Sequence, residues 1–392
     1  MRRPMDGQHG LGSPRSGGCE GLRLGFRFCL RGHIIRPRVV LERCMTYFRD
    51  NIEQVAGYTP GFQPKGAGVV KLNTNENPFA PSPEAVRALR GFDPERLRRY
   101  PDPVGDEFRV VAGELNGVPA EWIMCCNGGD DLLTIVFRAI CDEQRAVAYP
   151  VPTYSLYPVL ANIQGCERIE VPFDEQFNLP GELAGTGAAL TIVCNPNAPS
   201  GSFISPEEMA KLAGAISGVL VIDEAYVDYA EQNCVGLVRE FDNVIILRSM
   251  SKGYSLAGLR FGYAIAQPSL IGGLMKVKDS YNVDALAIAI AAAAIKDQKY
   301  FRENVESVKA ERTRLSAELR GLGFDVPESQ TNFVLAKCTA TDAAALHEKL
   351  SQRNIYVRYF ALPRLEDKLR ITVGTAEQND KLVSALKEIL EA

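Results

Sequence analysis

No stretch of this chain approaches the roughly 18 consecutive apolar residues that a membrane-spanning helix needs, so it offers no candidate transmembrane segment. It also lacks a strong charge: the formal net charge is -4, and no long run of one sign interrupts the body of the chain. A field that weak gives no grip on a polyanion, and nucleic acid is not expected as a ligand. Histidine is scarce, three in all, and only His347 lies beyond the first 44 residues. The ten cysteines make no spaced framework; Cys125 and Cys126 are adjacent with no matching second pair, so no zinc or other metal site is expected. Cysteines inside apolar runs, as Cys194 in LTIVCNP, read as reduced, buried thiols of a cytoplasmic protein.

What is present is an ordinary globular composition. With 392 residues, 46% hydrophobic and 23% charged, the chain can bury a large core and suggests two or three domains. Residues 1–44 stand apart, with nine Arg, no Lys and three acidic residues (Asp6, Glu20, Glu42), which leaves 35 basic against 45 acidic residues in the remainder. A targeting peptide, a basic arm and translated upstream sequence all suit an Arg-rich, acid-poor leader. Few serines and no amphipathic period weigh against targeting, and Met45 directly precedes the amphipathic TYFRDNIEQV. A start at Met45 is therefore expected, with the leader disordered or outside the native protein.

From about Ala120 to Ala266, short apolar runs alternate with amphipathic segments. The runs at 145–150 (RAVAYP), 189–195 (ALTIVCN), 218–224 (GVLVIDE), 243–249 (NVIILRS) and 261–266 (FGYAIA) read as strands, and 131–141 and 205–216 as helices. Ser205, Pro206 and Glu208 have the spacing of a capping box. Fully apolar strands separated by helices predict a mainly parallel α/β sheet covered on both faces. After Gln267, long helical segments and two further strands, at 332–338 and 369–375, predict a smaller α+β domain. The expected division is a leader (1–44), an N-terminal arm (45–74), a large domain (75–285) and a small C-terminal domain (286–392).

Ligands of open parallel sheets bind beyond the carboxyl ends of the strands. Three such ends here carry Asp223, Asn197, and Ser251 with Lys252. A lysine amine is a nucleophile only when neutral, and burial or nearby positive charge depresses its pKa; a Schiff base with an aldehyde cofactor is one use of Lys252, a solvated surface lysine the plain alternative. Asp223 closes an apolar run, where a carboxylate needs a partner. A pyridinium N–H would serve, and so would a capped turn. Tyr226, three residues on, can offer its hydroxyl to a ring oxygen. Gly128, Gly129 and Asp130 open a helix whose free N–H groups suit an anion, with Ser251 and Arg260 as further donors. Tyr154 is placed to lie on an aromatic cofactor, or merely to pack in a Pro-rich loop, and Asn197 to meet the ring oxygen, or merely to turn the chain.

Taken in order, LNTNENP, RRYPDP, CNPNAPSG, VIDEAYVDY, SMSKGYSLAGLRFGY and LRITVGT resemble the fold type I pyridoxal-phosphate (PLP) aminotransferases, and among them the histidinol-phosphate aminotransferase family. The likeness runs from 71 to 375. It implies a large domain with a seven-stranded, mainly parallel sheet, and PLP as cofactor. It further implies catalytic Lys252, Asp223 and Tyr226, with Gly129, Asp130, Tyr154, Asn197, Ser251 and Arg260 around the cofactor. Tyr100 of the RYP motif would reach the cofactor phosphate from the neighbouring subunit of a homodimer. Asn77, Arg358 and Arg370 would bind substrate: Arg370 the carboxylate of glutamate and Arg358 the substrate phosphate, the latter also readable as an outward arginine on an edge strand. NGGDD departs from the commoner Gly-Ser/Ala-Asp-Glu version, which leaves the side-chain role of Asp130 open. The implied reaction is transamination between L-histidinol phosphate and 2-oxoglutarate in histidine biosynthesis. Rival readings are threonine-phosphate decarboxylation, a broad aromatic aminotransferase, and a noncatalytic PLP-fold binding protein.

Overall fold

Short runs rich in β-branched and aliphatic residues form the strands of this computed structural model, which describes residues 47–58, 60–339 and 341–391. The basic leader and the expected start at Met45 lie outside the described residues. In chain order the strands are β1 (Val70–Lys71), β2 (Ile123–Cys126), β3 (Val147–Val151), β4 (Arg168–Pro172), β5 (Leu190–Cys194), β6 (Val219–Asp223), β7 (Val244–Ser249), β8 (Gly262–Ala266), β9 (Phe333–Lys337), β10 (Ile355–Tyr356), β11 (Arg358–Tyr359) and β12 (Lys368–Thr372).

Strands β2 to β8 make one sheet in the order β2-β8-β7-β6-β5-β3-β4. All neighbours pair in parallel except β8, which is antiparallel to β7 and β2. The expected seven-stranded, mainly parallel α/β sheet is therefore present. Two of its strands escaped the sequence pattern. β2 is only IMCC, and β4 is an edge strand, RIEVP, whose Arg168 and Glu170 remain exposed.

Side chains alternate across the sheet. Ile222, Ile246 and Ile265 face one apolar cluster, with the Phe108 ring tilted against Phe261, centres 4.5 Å apart. Val221, Ile245 and Leu247 face the other, filled by Leu133 and Val136 of the helix Gly129–Ile140 and by Tyr157 of the helix Leu156–Gln164. Asp223 shares the parity of Val221, so its carboxylate emerges on this second face. Arg248 shares the parity of Ile246 and pairs with Glu224 at 2.7 Å on the first.

β9, β12 and β11 form a separate antiparallel sheet, with the helices Gln298–Gly321, Ala343–Gln352 and Ala376–Glu391 closing its apolar core. β1 pairs in parallel with β10, Val70 against Ile355. Beyond it, Leu72 N–H donates to Tyr356 O (2.8 Å) and Thr372 N–H donates to Leu72 O (2.9 Å). The end of the expected N-terminal arm is thus stitched into the C-terminal layer, a pairing that two residues of strand are too short to announce. Phe48–Ala392 form one compact unit.

Candidate active site

β6 ends on Asp223 and β7 leads through Ser249 into Ser251 and Lys252, so both chemistries arrive at the same sheet rim. Burial pushes the Asp223 carboxyl up to about 6, partly offset by bonds from Tyr157 Oη to Oδ2 (2.7 Å) and from Ala225 N–H to Oδ1 (3.1 Å). Tyr157 is itself buried, and its only polar atom meets this carboxylate. A buried acid on a cavity wall is costly unless a further donor completes it.

Lys252 lies across the same cavity, its ammonium 5.5 Å from the Tyr226 ring centre. Burial, then the positive charges of Arg370 and Arg260, lower its pKa to about 8. No hydrogen bond or ion pair holds its Nζ among the described residues. Its backbone, by contrast, is clamped. Asn77 Nδ2 donates to Lys252 O (3.0 Å) and to Gly253 O (3.2 Å), and the Asp228 carboxylate accepts from Gly253 N–H. A side chain at 253 would collide with that carboxylate, which explains the glycine after the lysine.

The phosphate-sized end of the cavity is built from backbone. Gly128 (φ 88) turns the chain into the helix Gly129–Ile140, whose first N–H groups stay free of intrahelical partners. A Cβ on Gly128 would stand 2.7 Å from Arg260 Nη2. Arg260 donates to Ser251 Oγ (3.3 Å) and lies 3.6 Å from Asp130 Oδ2, while Tyr154 Oη donates to Asp130 Oδ1 (3.1 Å). The Asp130 side chain therefore braces Arg260 and Tyr154; what it offers an anion is its backbone N–H.

The opposite wall is cationic. Arg358 and Arg370 are direct partners in the β11–β12 register, where like charges repel. Arg370 lies between Phe333 and Phe360, 5.2 and 5.4 Å from their ring centres, and donates to Asn73 O (3.1 Å). Its buried Nε has no partner. Burial lowers the Arg370 pKa, as does Arg358, with Tyr226 opposing. Two adjacent guanidiniums with an unmet donor call for an anionic ligand.

One cavity of about 980 Å³ brings together Gly129, Asp130, Tyr154, Asp223, Tyr226, Ser251, Lys252, Arg260, Arg358 and Arg370. Three expected site residues stand elsewhere. Asn197 Nδ2 donates to Pro152 O (3.2 Å) and Ser200 Oγ (2.8 Å), and its Oδ1 accepts from Thr153 Oγ1 (2.8 Å). With its amide engaged in holding the loop, the cavity wall there is Ala198 and Pro199. Asn77 stands behind the lysine, its Nδ2 on the Lys252 and Gly253 carbonyls. Tyr100 is 81% exposed, stacked 4.5 Å from Tyr281, and does not line this cavity. Sequence reasoning missed Tyr157, Asn75 and Asp228. Only Tyr157 left a signal, three residues after Tyr154 at the start of a helix.

A doubly covered sheet with a lysine of lowered pKa, a buried acid and an anion cradle on one rim defines an enzyme that works through an aldehyde cofactor. The chain belongs to the aminotransferase class I and II family, whose model matches residues 67–386, and within it to the histidinol-phosphate aminotransferases. Histidinol-phosphate aminotransferase 1 of Trichormus variabilis is 51% identical over 346 residues, 88% of this chain and 99% of that protein. The histidinol-phosphate aminotransferase of Geobacter sp. strain M21 is 44% identical over the same shares. The crystal structure of histidinol-phosphate aminotransferase from Sinorhizobium meliloti in complex with pyridoxal-5'-phosphate matches with TM-score 0.81 at 26% identity, over 89% of this chain and 99% of that one.

Proposed function

We propose that this chain is a PLP-dependent aminotransferase that interconverts L-histidinol phosphate and 2-oxoglutarate with imidazole-acetol phosphate and L-glutamate, in histidine biosynthesis. The observation that carries the reading is the convergence on one cavity of Lys252, Asp223 and the Arg358–Arg370 pair. The residues fit the cofactor: an incomplete buried acid for its ring nitrogen, an unpartnered amine for its aldehyde, and an anion cradle for its phosphate. When bound, PLP supplies an aldehyde that condenses with amines and a ring that draws off the electrons of the substrate α-carbon.

The chain's own residues do the rest. Ionised Asp223 keeps the ring nitrogen protonated. Lys252 Nζ would take the proton from the substrate α-carbon and return it on the cofactor side, which a pKa near 8 permits at neutral pH. Tyr226 offers its hydroxyl to the ring oxygen, and Tyr154 covers the ring. Arg260, Ser251 and the N–H groups of Gly129 and Asp130 take the cofactor phosphate. Arg370 takes the glutamate carboxylate and Arg358 the histidinol phosphate group, so one cationic wall serves two unlike substrates in turn.

The working unit is a homodimer in the cytoplasm, each chain divided near residue 286 into a large and a small domain. Support for the dimer comes from the exposed face of Leu97, Tyr100 and Tyr281, and Tyr100 would complete the phosphate site of the partner. Free, buried cysteines suit a reducing compartment. A substrate panel tests the activity: histidinol phosphate, phenylalanine and threonine phosphate, each with and without 2-oxoglutarate. Histidinol phosphate should react fastest and only with the oxo acid. Preference for phenylalanine, or release of carbon dioxide from threonine phosphate, would replace the substrate assignment.

A further inference from the structure

Asn75 joins the C-terminal layer to the cavity. It is 1% exposed and adopts φ 56, a left-handed conformation that Asn tolerates better than most residues. Its backbone N–H, which can only donate, points at Thr372 Oγ1 (3.0 Å). Thr372 Oγ1 has no other partner among the described residues, so its own proton goes to Asn75 Oδ1 (3.0 Å), an acceptor where the amide nitrogen has no lone pair to offer. These two bonds set the sense of the side-chain amide. Nδ2 is left facing Tyr226 and donates to its Oη at 3.0 Å. Asn332 Nδ2 holds the Asn75 carbonyl (2.9 Å), and Phe333 holds the Tyr226 ring edge-on at 5.2 Å.

With the ring fixed and one side of its oxygen occupied by an N–H, the only freedom left to Tyr226 is the direction of its own proton. Arg370, the nearest charged side chain on that wall, is a donor and cannot receive it. We propose that Asn75, locked by Thr372, is a positioning residue that aims the Tyr226 hydroxyl proton into the cavity, toward the ring oxygen of the bound cofactor. Burial pushes the Tyr226 phenol up to about 12, so it still carries the proton to be aimed. The proposal rests on PLP being the cofactor, and it concerns residues 151 and 297 positions apart in sequence.

An aimed donor stabilises negative charge on the ring oxygen and weakens that oxygen's hold on the proton of the nitrogen linking Lys252 to the cofactor. The consequence is a lower pH midpoint for the visible absorbance band of the holoenzyme. The test is a spectrophotometric pH titration, without amino donor, of wild type, Asn75→Asp, Tyr226→Phe, the two combined, and Thr372→Val in both backgrounds. Asn75→Asp keeps the acceptor for Thr372 but replaces the amide donor by an oxygen that draws the Tyr226 proton back. The midpoint is expected to rise by about one pH unit, a tenfold tighter hold on the proton. Tyr226→Phe should raise it similarly, and the combination no further than Tyr226→Phe alone. Thr372→Val changes no charge; by freeing the amide to turn over it should raise the midpoint less, and not at all in the Tyr226→Phe background. A rise from Asn75→Asp that persists undiminished without the Tyr226 hydroxyl would reduce Asn75 to a nearby charge and overturn the proposal. An unmoved midpoint in Thr372→Val does the same, and decides alone if Asn75→Asp does not fold. Absence of a Lys252-dependent visible band in wild type would instead sink the cofactor reading and this proposal with it.

Discussion

An amine denied water and set beside guanidiniums holds its proton weakly, and that is the whole preparation of Lys252. Two expectations follow from its pKa of about 8. Cofactor capture by the cofactor-free protein needs the neutral amine, so the rate of visible-band growth after adding PLP should climb as pH rises through 8. The same depressed pKa destabilises the cofactor-free fold wherever the amine must be charged. Folded pKa lies below unfolded here, so the penalty is full below pH 8 and vanishes above the unfolded value of 10.5. Lys252→Met should abolish transamination and the visible band, while raising the melting temperature of the cofactor-free protein by a few degrees at pH 7 and by nothing at pH 11. No gain at pH 7 would mean that the amine is not desolvated as described. Lys252, Asp223 and Arg260 could be read from the chain because each sits in a short run beside an apolar strand that fixes its place: Asp223 and Lys252 at or just beyond a strand's end, Arg260 just before the next. Asn75 could not, because its meaning lies in a partner 151 residues away, and Tyr157, whose partner is 66 residues away, left only its spacing from Tyr154.

Elements here announce themselves when their stabilisation is local. The helix Pro206–Ala215 has the complete capping box expected from Ser205 and Glu208, both bonds formed; Ser205→Ala should lower unfolding stability by about 1 kcal/mol in urea titrations, with no change in activity. The central strands were equally legible, since both faces are covered and the residues are apolar throughout. β4 was not, because an edge strand with exposed Arg168 and Glu170 resembles a loop. Least legible was the pair Arg248–Glu224, buried beneath the Lys252 turn. Removing one member leaves a lone charge in the interior, so Arg248→Met is expected to cost about 3–5 kcal/mol, read from the shift in denaturation midpoint. A shift below about 1 kcal/mol would show that water reaches the pair.

For the whole molecule, the dimer reading makes a strict demand. If Tyr100 serves the partner's site, Lys252→Ala and Tyr100→Ala are separately defective, but mixed dimers carry one site with neither defect. Refolding the two variants together in equal amounts should restore about a quarter of wild-type activity, since half the dimers are mixed and each has one intact site. Recovery no greater than the sum of the parents would refute sharing. The general plan, a large α/β sheet followed by a C-terminal layer, was visible in the succession of elements. The crossing of the N-terminal strand into that layer was not, for β1 offers two residues of pattern.

That crossing bears on how the protein comes into being on the ribosome. Val70 finds its mate at Ile355, 285 residues further along the chain, and Asn75 waits for Thr372. The central sheet can assemble while synthesis continues, but the segment from Val70 to Asn75 must stay unmated until the last strands emerge, a loop closure that delays rather than forbids folding. A nascent chain released short of Ile355 would therefore own the lysine and the acid yet lack the wall that faces them, and cofactor loading becomes a report that translation has passed the C-terminal layer.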